Sequence, residues 1–99
     1  MPKLLQLLDS AASESRKIAA WDDDREWGVG RRFLLALRQT LDSIAAVPES
    51  FEPTRRHYRR ATVPDFPYSV YFREFDDEIL VYCVVHNARH PRVWLKHLP

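Results

Sequence analysis

From Arg31 onward the apolar positions Phe33, Leu34, Leu37, Leu41, Ile44 and Ala45 recur at three- and four-residue steps, the spacing that lines one face of an α-helix. Pro48 ends this helix, because a proline inside it would remove a backbone donor and crowd the preceding turn. Upstream, Ala11, Ala12, Ile18, Ala19 and Trp21 predict a first helix. Asp9 or Ser10 is placed to cap it, and Glu14 lies in its first turn, where a negative charge suits the helix dipole. Gly28 and Gly30 break it, so that Gly28-Val29-Gly30 reads as the turn of a helical hairpin with Trp21 and Trp27 as packing residues. The short run Lys3 to Leu8 is an edge strand or the run-in to the helix; periodicity does not separate the two over so few residues, and the strand is the preferred reading.

The period changes in the second half. Tyr58 to Val63 reads as a strand, and Pro64-Asp65-Phe66-Pro67 as a turn, since each proline removes a ladder donor and restricts the residue before it. Tyr68, Val70 and Phe72 then alternate against Ser69, Tyr71 and Arg73, one set per face. Asp76-Asp77 makes a tight reversal into Glu78 to His86, which is apolar on both faces as a central strand covered on each side would be. Residues 92 to 97 add a last short strand. Helices followed by strands predict an α+β fold, a helical hairpin packed on one face of a small, mostly antiparallel sheet.

Composition narrows the class. A chain of 99 residues, 45% hydrophobic and 12% aromatic with two glycines, has the apolar content of one folded domain and leaves no room for two cores. The single Cys83 offers no internal disulfide and reads as a small buried hydrophobe. The leucines near the N-terminus form too short a run for a signal peptide, nothing approaches the length of a membrane span, and a cytoplasmic setting with no membrane partner is expected. The net charge of +1 hides an uneven distribution. Residues 1 to 50 carry 7 basic and 8 acidic groups, and residues 51 to 99 carry 8 and 6, with Arg55, Arg56, Arg59 and Arg60 in one hexapeptide. Guanidinium groups favour phosphate and carboxylate recognition.

Two constellations could carry chemistry. The run Arg55-Arg56-His57-Tyr58-Arg59-Arg60, read as the start of a strand, puts Arg56, Tyr58 and Arg60 on one face and Arg55, His57 and Arg59 on the other. Such a set suits phosphate contacts with base stacking, salt bridges to an acidic peptide, or simply an edge strand guarded by charge. The second is His86-Asn87-Ala88-Arg89-His90-Pro91 at the end of the central strand, followed by Trp94. A metal-independent ribonuclease needs a base, an acid and cations for the phosphorane, and His86, His90 and Arg89 include those groups. The structural alternative has His86 capping the strand through backbone hydrogen bonds and Arg89 paired with a carboxylate. His86 and His90 mimic a zinc spacing but lack further ligands, so no metal is expected, and the glycine pair lacks the pattern of a dinucleotide loop, so no cofactor is expected. Asp22-Asp23-Asp24 reads as a solvated acidic turn.

The ordered set of Trp21, Gly30-Arg31-Arg32-Phe33-Leu34, Ile44 to Pro48 with Phe51, Arg59-Arg60-Ala61, Phe66 to Phe72, Val84-Val85-His86, Arg89-His90-Pro91 and Trp94 resembles the ParE/RelE superfamily of toxins, often labelled plasmid stabilisation proteins. The resemblance runs over about residues 10 to 95 and is nearest the ParE side. It implies two helices against an antiparallel sheet and a cognate antitoxin whose C-terminal segment wraps the toxin, in a toxin-antitoxin hetero-oligomer or beside a toxin homodimer. It also implies growth inhibition through an essential target, DNA gyrase ahead of the ribosome. RelE-like members instead cut mRNA on the ribosome; Arg60 and Arg89 match the superfamily's basic pair, while Trp94 stands where those nucleases tend to have tyrosine and their lysines have no counterpart here. The other alternative is an inactive relative that only binds an antitoxin.

Overall fold

A computed structural model describes residues 3–89 and Leu98. The chain opens with strand β1 (Leu4–Leu7) and helices α1 (Asp9–Arg25) and α2 (Val29–Ala46). Strands β2 (Glu52–Pro53), β3 (Arg59–Thr62), β4 (Tyr68–Glu74) and β5 (Glu78–His86) follow. They form one sheet in the order β1-β5-β4-β3-β2, with β1 parallel to β5 and every other pairing antiparallel. The expected α+β class holds, and the N-terminal segment is the edge strand that was preferred. The strand expected over residues 92 to 97 lies outside the described residues, as do His90 and Trp94.

The helical face of the sheet carries the main core. Phe33, Leu37 and Ile44 of α2 pack with Ala11 and Ala19 of α1 against Val70, Phe72, Ile79, Val81 and Val84. Of the apolar positions spaced along α2, Phe33, Leu37, Leu41 and Ile44 face the core as predicted, whereas Leu34 is 43% exposed. The opposite face holds a second cluster of Tyr58, Tyr71, Tyr82, Cys83 and Val85, so β5 is covered on both sides. The two sets read from β4 divide accordingly: Val70 and Phe72 join the first cluster and Tyr71 the second. Between β4 and β5 the register shifts, Tyr71 opposing Cys83 while Phe72 opposes Val81. Tyr82 is the extra residue of this bulge, which turns it and its neighbour Cys83 into the same cluster.

Four local expectations are corrected. Helix α1 runs on to Arg25, so Asp22-Asp23-Asp24 is its last turns and not a loop, and Asp22 is only 7% exposed. Neither Asp9 nor Ser10 caps α1, which has no side-chain cap at its start; the Ser10 hydroxyl donates to the Tyr82 carbonyl instead. Gly28, at φ 88°, makes the interhelical turn, but Gly30 lies within α2, where a Cβ would collide with the Ala19 carbonyl oxygen and lie 2.8 Å from the Asp23 carboxyl. Its backbone N–H donates to Asp23 Oδ1 at 2.7 Å, locking the two helices where they cross most closely. Trp21 and Trp27 are not packing residues: they are 61% and 93% exposed.

Candidate functional site

Strand register builds a row of side chains across the sheet face that turns away from the helices. Glu52 of β2 opposes Arg60 of β3, Arg60 opposes Tyr71 of β4, and Tyr71 opposes Cys83 of β5. The Arg60 guanidinium donates to Glu52 Oε2 at 2.6 Å and to the Tyr71 hydroxyl. Arg60 and Glu52 remain 39% and 60% exposed at their side chains. A pair so open to water is held weakly and exchangeably, so an incoming phosphate or carboxylate can replace Glu52. Burial raises the Tyr71 phenol pKa, with Arg60 opposing, and pushes the Cys83 thiol up to about 12.

Beyond Cys83 the row runs into a cavity of about 250 Å³ lined by Ser10, Glu14, Cys83 and Arg89 among others. Its geometry follows from the sheet's unequal strands. Strand β1 pairs with β5 only over Glu78 to Val81, so the rest of that β5 edge would expose backbone groups. Helix α1 covers it: Ser10 Oγ donates to the Tyr82 carbonyl at 3.3 Å and Glu14 Oε1 accepts the Val84 N–H at 3.1 Å. One helical turn thus stands in for a missing strand. Burial raises the Glu14 carboxyl pKa, while the Val84 N–H, Arg89 and Lys17 pull it down. Arg89 therefore has the carboxylate neighbour that the structural reading of this loop required.

The remaining sequence candidates are dispersed. His86 is on the helical side of the sheet: its ring packs edge-to-face on Tyr68 at 5.3 Å, and its Nδ1 accepts the Ala88 N–H at 2.9 Å. It is on the face opposite Arg60, so the two do not act on one phosphate. The expected alternation from Arg55 to Arg60 fails at its start, because Arg55–His57 is a tight turn with Arg56 and His57 both in the left-handed region, at φ 57° and 71°. Two consecutive positive φ values give the hairpin twist that joins β2 to β3. Tyr58 is fully buried, its ring against Tyr82 at 5.1 Å and the Arg73 guanidinium over its face, so it is no stacking platform. Arg59 donates to the Phe51 carbonyl at 2.7 Å and holds the loop after α2 in place. Arg56 donates to the Leu98 carbonyl at 3.1 Å. Among the described residues no group of three or more His, Cys, Asp or Glu could hold a metal ion, and no helix is long and apolar enough to cross a membrane.

Sequence reading missed Glu52, Tyr71 and Glu14 as site members. Tyr71 carried a signal, since the β4 alternation already set it on one face with Arg73. Glu14 carried none, because its role depends on where β1 stops.

The family model for the ParE toxin of the type II toxin-antitoxin system, parDE, matches residues 5–91. The chain belongs to the ParE toxin family. No curated protein gives a significant match. A solved structure of a chromosomal ParDE toxin-antitoxin system from P. aeruginosa superposes on this ParE-family chain with a TM-score of 0.78 at 16% identity, covering 85% of this chain and 95% of that one. The RelBE2 toxin-antitoxin complex from Mycobacterium tuberculosis gives 0.65 at 17% identity, over 87% of this chain and 99% of that one. At these identities the likeness is one of fold: two helices on a five-stranded mixed sheet.

Proposed function

We propose that this ParE-family toxin inhibits growth by binding an essential target, DNA gyrase ahead of the ribosome, and that a cognate antitoxin holds it silent in the cytoplasm. The observation that carries this reading is the cross-sheet row Glu52-Arg60-Tyr71-Cys83, which presents an exchangeable guanidinium on the face opposite the His86 imidazole. Such a surface binds anionic groups. An acidic antitoxin segment laid across it displaces Glu52 from Arg60 and covers the basic half of the chain. Inducing the chain is expected to arrest growth, and co-expressing the adjacent gene's product to restore it; normal growth with folded protein present would refute an active toxin.

One observation favours a second reading, a ribosome-dependent mRNA endonuclease of the RelE type. The Glu14 carboxyl, its pKa raised by burial, stands beside Arg89 in the cavity at the end of the row, an acid-base group near a cation. Under that reading Arg89→Ala abolishes cleavage of translated mRNA, and intact mRNA in a ribosome assay with the native chain rejects it.

A further inference from the structure

The tip and one flank of the helical hairpin carry apolar surface that the fold leaves open. Trp27, in the turn between α1 and α2, is 93% exposed. Beside it a groove of about 510 Å³ runs along α2, with Val29, Leu35 and Phe66 as apolar lining and Glu26, Arg32 and Asp65 as charged lining. Val29, Arg32 and Leu35 are spaced three residues apart and so share one flank of α2, beside the stripe of Phe33 and Leu37 that meets the core. Phe66, from the loop between β3 and β4, forms the other wall; its ring is fixed edge-to-face on Phe33 at 5.4 Å. Leu35 itself is 54% exposed. A protruding indole and an apolar groove large enough to take one thus lie side by side on a single surface.

Charge decides what fits there. Glu26, Arg32 and Asp65 are of both signs, and none of them forms an ion pair with another described residue. A segment of a single sign would set like charges together wherever it lay. A second copy of the same surface does not: turned about a twofold axis across α2, it brings Arg32 towards the Glu26 and Asp65 of the other copy and receives the reverse pairing in return. The same operation carries knob to hole. Trp27 lies five residues before Arg32, so an axis beside Arg32 sets the turn that bears Trp27 level with the helical turn that bears Leu35 in the other copy.

We propose that this flank of the hairpin is a homodimer interface in which the Trp27 of each chain enters the groove of the other, against Leu35 and Phe66. Tryptophans that fill apolar pockets are the commonest anchors of protein interfaces, and the mixed charges around them set the register. The groove is on the helical side of the sheet, where Phe66 packs against the main core. The dimer therefore leaves the Arg60 face open, and the proposal depends neither on the target nor on the antitoxin.

Sedimentation equilibrium of the full chain tests it. The native chain should pass from monomer towards twice its mass as concentration rises, with a dissociation constant on the order of 10 μM, as suits a small interface with one anchor per copy. Trp27→Ser and Leu35→Asp each alter both contacts of a twofold dimer, so each should weaken association about a hundredfold or more. Both side chains are more than half exposed, so neither substitution disturbs the fold. Mixing the two variants restores one contact of the two, the Trp27 of one entering the intact groove of the other, and the mixture should associate more tightly than either variant alone. A native chain that stays monomeric up to about 1 mM overturns the proposal. So does a dimer as tight in Trp27→Ser as in the native chain, and so does a mixture no tighter than its components.

Discussion

The Glu14 carboxylate accepts the Val84 backbone N–H at 3.1 Å, a bond between a helix and the middle of a strand that substitutes for sheet pairing where β1 has ended. Glu14→Gln keeps an acceptor and removes the buried charge; Glu14→Ala leaves the Val84 N–H unmatched. The alanine variant is expected to be less stable than the glutamine variant by about 1–2 kcal/mol, the cost of an unsatisfied buried donor. Urea denaturation midpoints check this, and equal midpoints would show that water serves the N–H as well.

The same carboxyl gives a pH dependence. Burial raises its pKa in the folded chain above the ordinary 4.5, so the fold favours the protonated form. The stability this group contributes is present below 4.5 and is lost as pH rises through the raised folded value. As pH rises above 4.5 the native chain should therefore lose stability relative to Glu14→Gln. Parallel pH profiles would contradict it.

Gly30→Ala tests the helix crossing. An exposed helical glycine gains about 1 kcal/mol on replacement by alanine. Here the new methyl meets the Ala19 carbonyl and the Asp23 carboxyl. A net loss of about 1–3 kcal/mol is expected, as for other overpacked sites. A stabilised variant would mean that the helices do not approach so closely.

His57 holds φ 71° in an exposed hairpin turn, a conformation costing an L-residue about 1–2 kcal/mol. His57→Gly relieves that strain and adds unfolded-chain entropy, for a net gain of about 0.5–1 kcal/mol in thermal or urea unfolding. A loss would show that the imidazole makes a stabilising contact.

Cys83, buried and with its pKa pushed up to about 12, should resist alkylation by iodoacetamide at neutral pH in the folded chain and react once it is unfolded. Rapid labelling of the native protein would contradict the covered sheet face.

What was readable depended on whether local spacing carried the information. Helix α2 and the two faces of β4 were legible because a single face of each meets the core, and the period records it. Asp22 reads as part of a solvated turn because three consecutive aspartates look like solvent-facing sequence; in the fold it is 7% exposed and near enough to Tyr68 of β4 to act on its phenol. Tyr58 and Arg60 do share the face that alternation gives them, that of Tyr71; the turn at Arg56 and His57 takes only Arg56 out of the strand pattern, and Tyr58 is buried because Tyr82 and Arg73 pack on its ring. Glu14 became part of the site through the parallel pairing of β1 with β5, a relation across more than 70 residues that no local pattern encodes.

The action proposed for this ParE-family chain is the binding of gyrase. It is tested most directly by adding the purified chain to DNA gyrase and following the supercoiling of relaxed plasmid. Dose-dependent inhibition, lost in Arg60→Ala and reversed by the adjacent gene's product, is the expected result. Undiminished supercoiling in the presence of folded chain would contradict it.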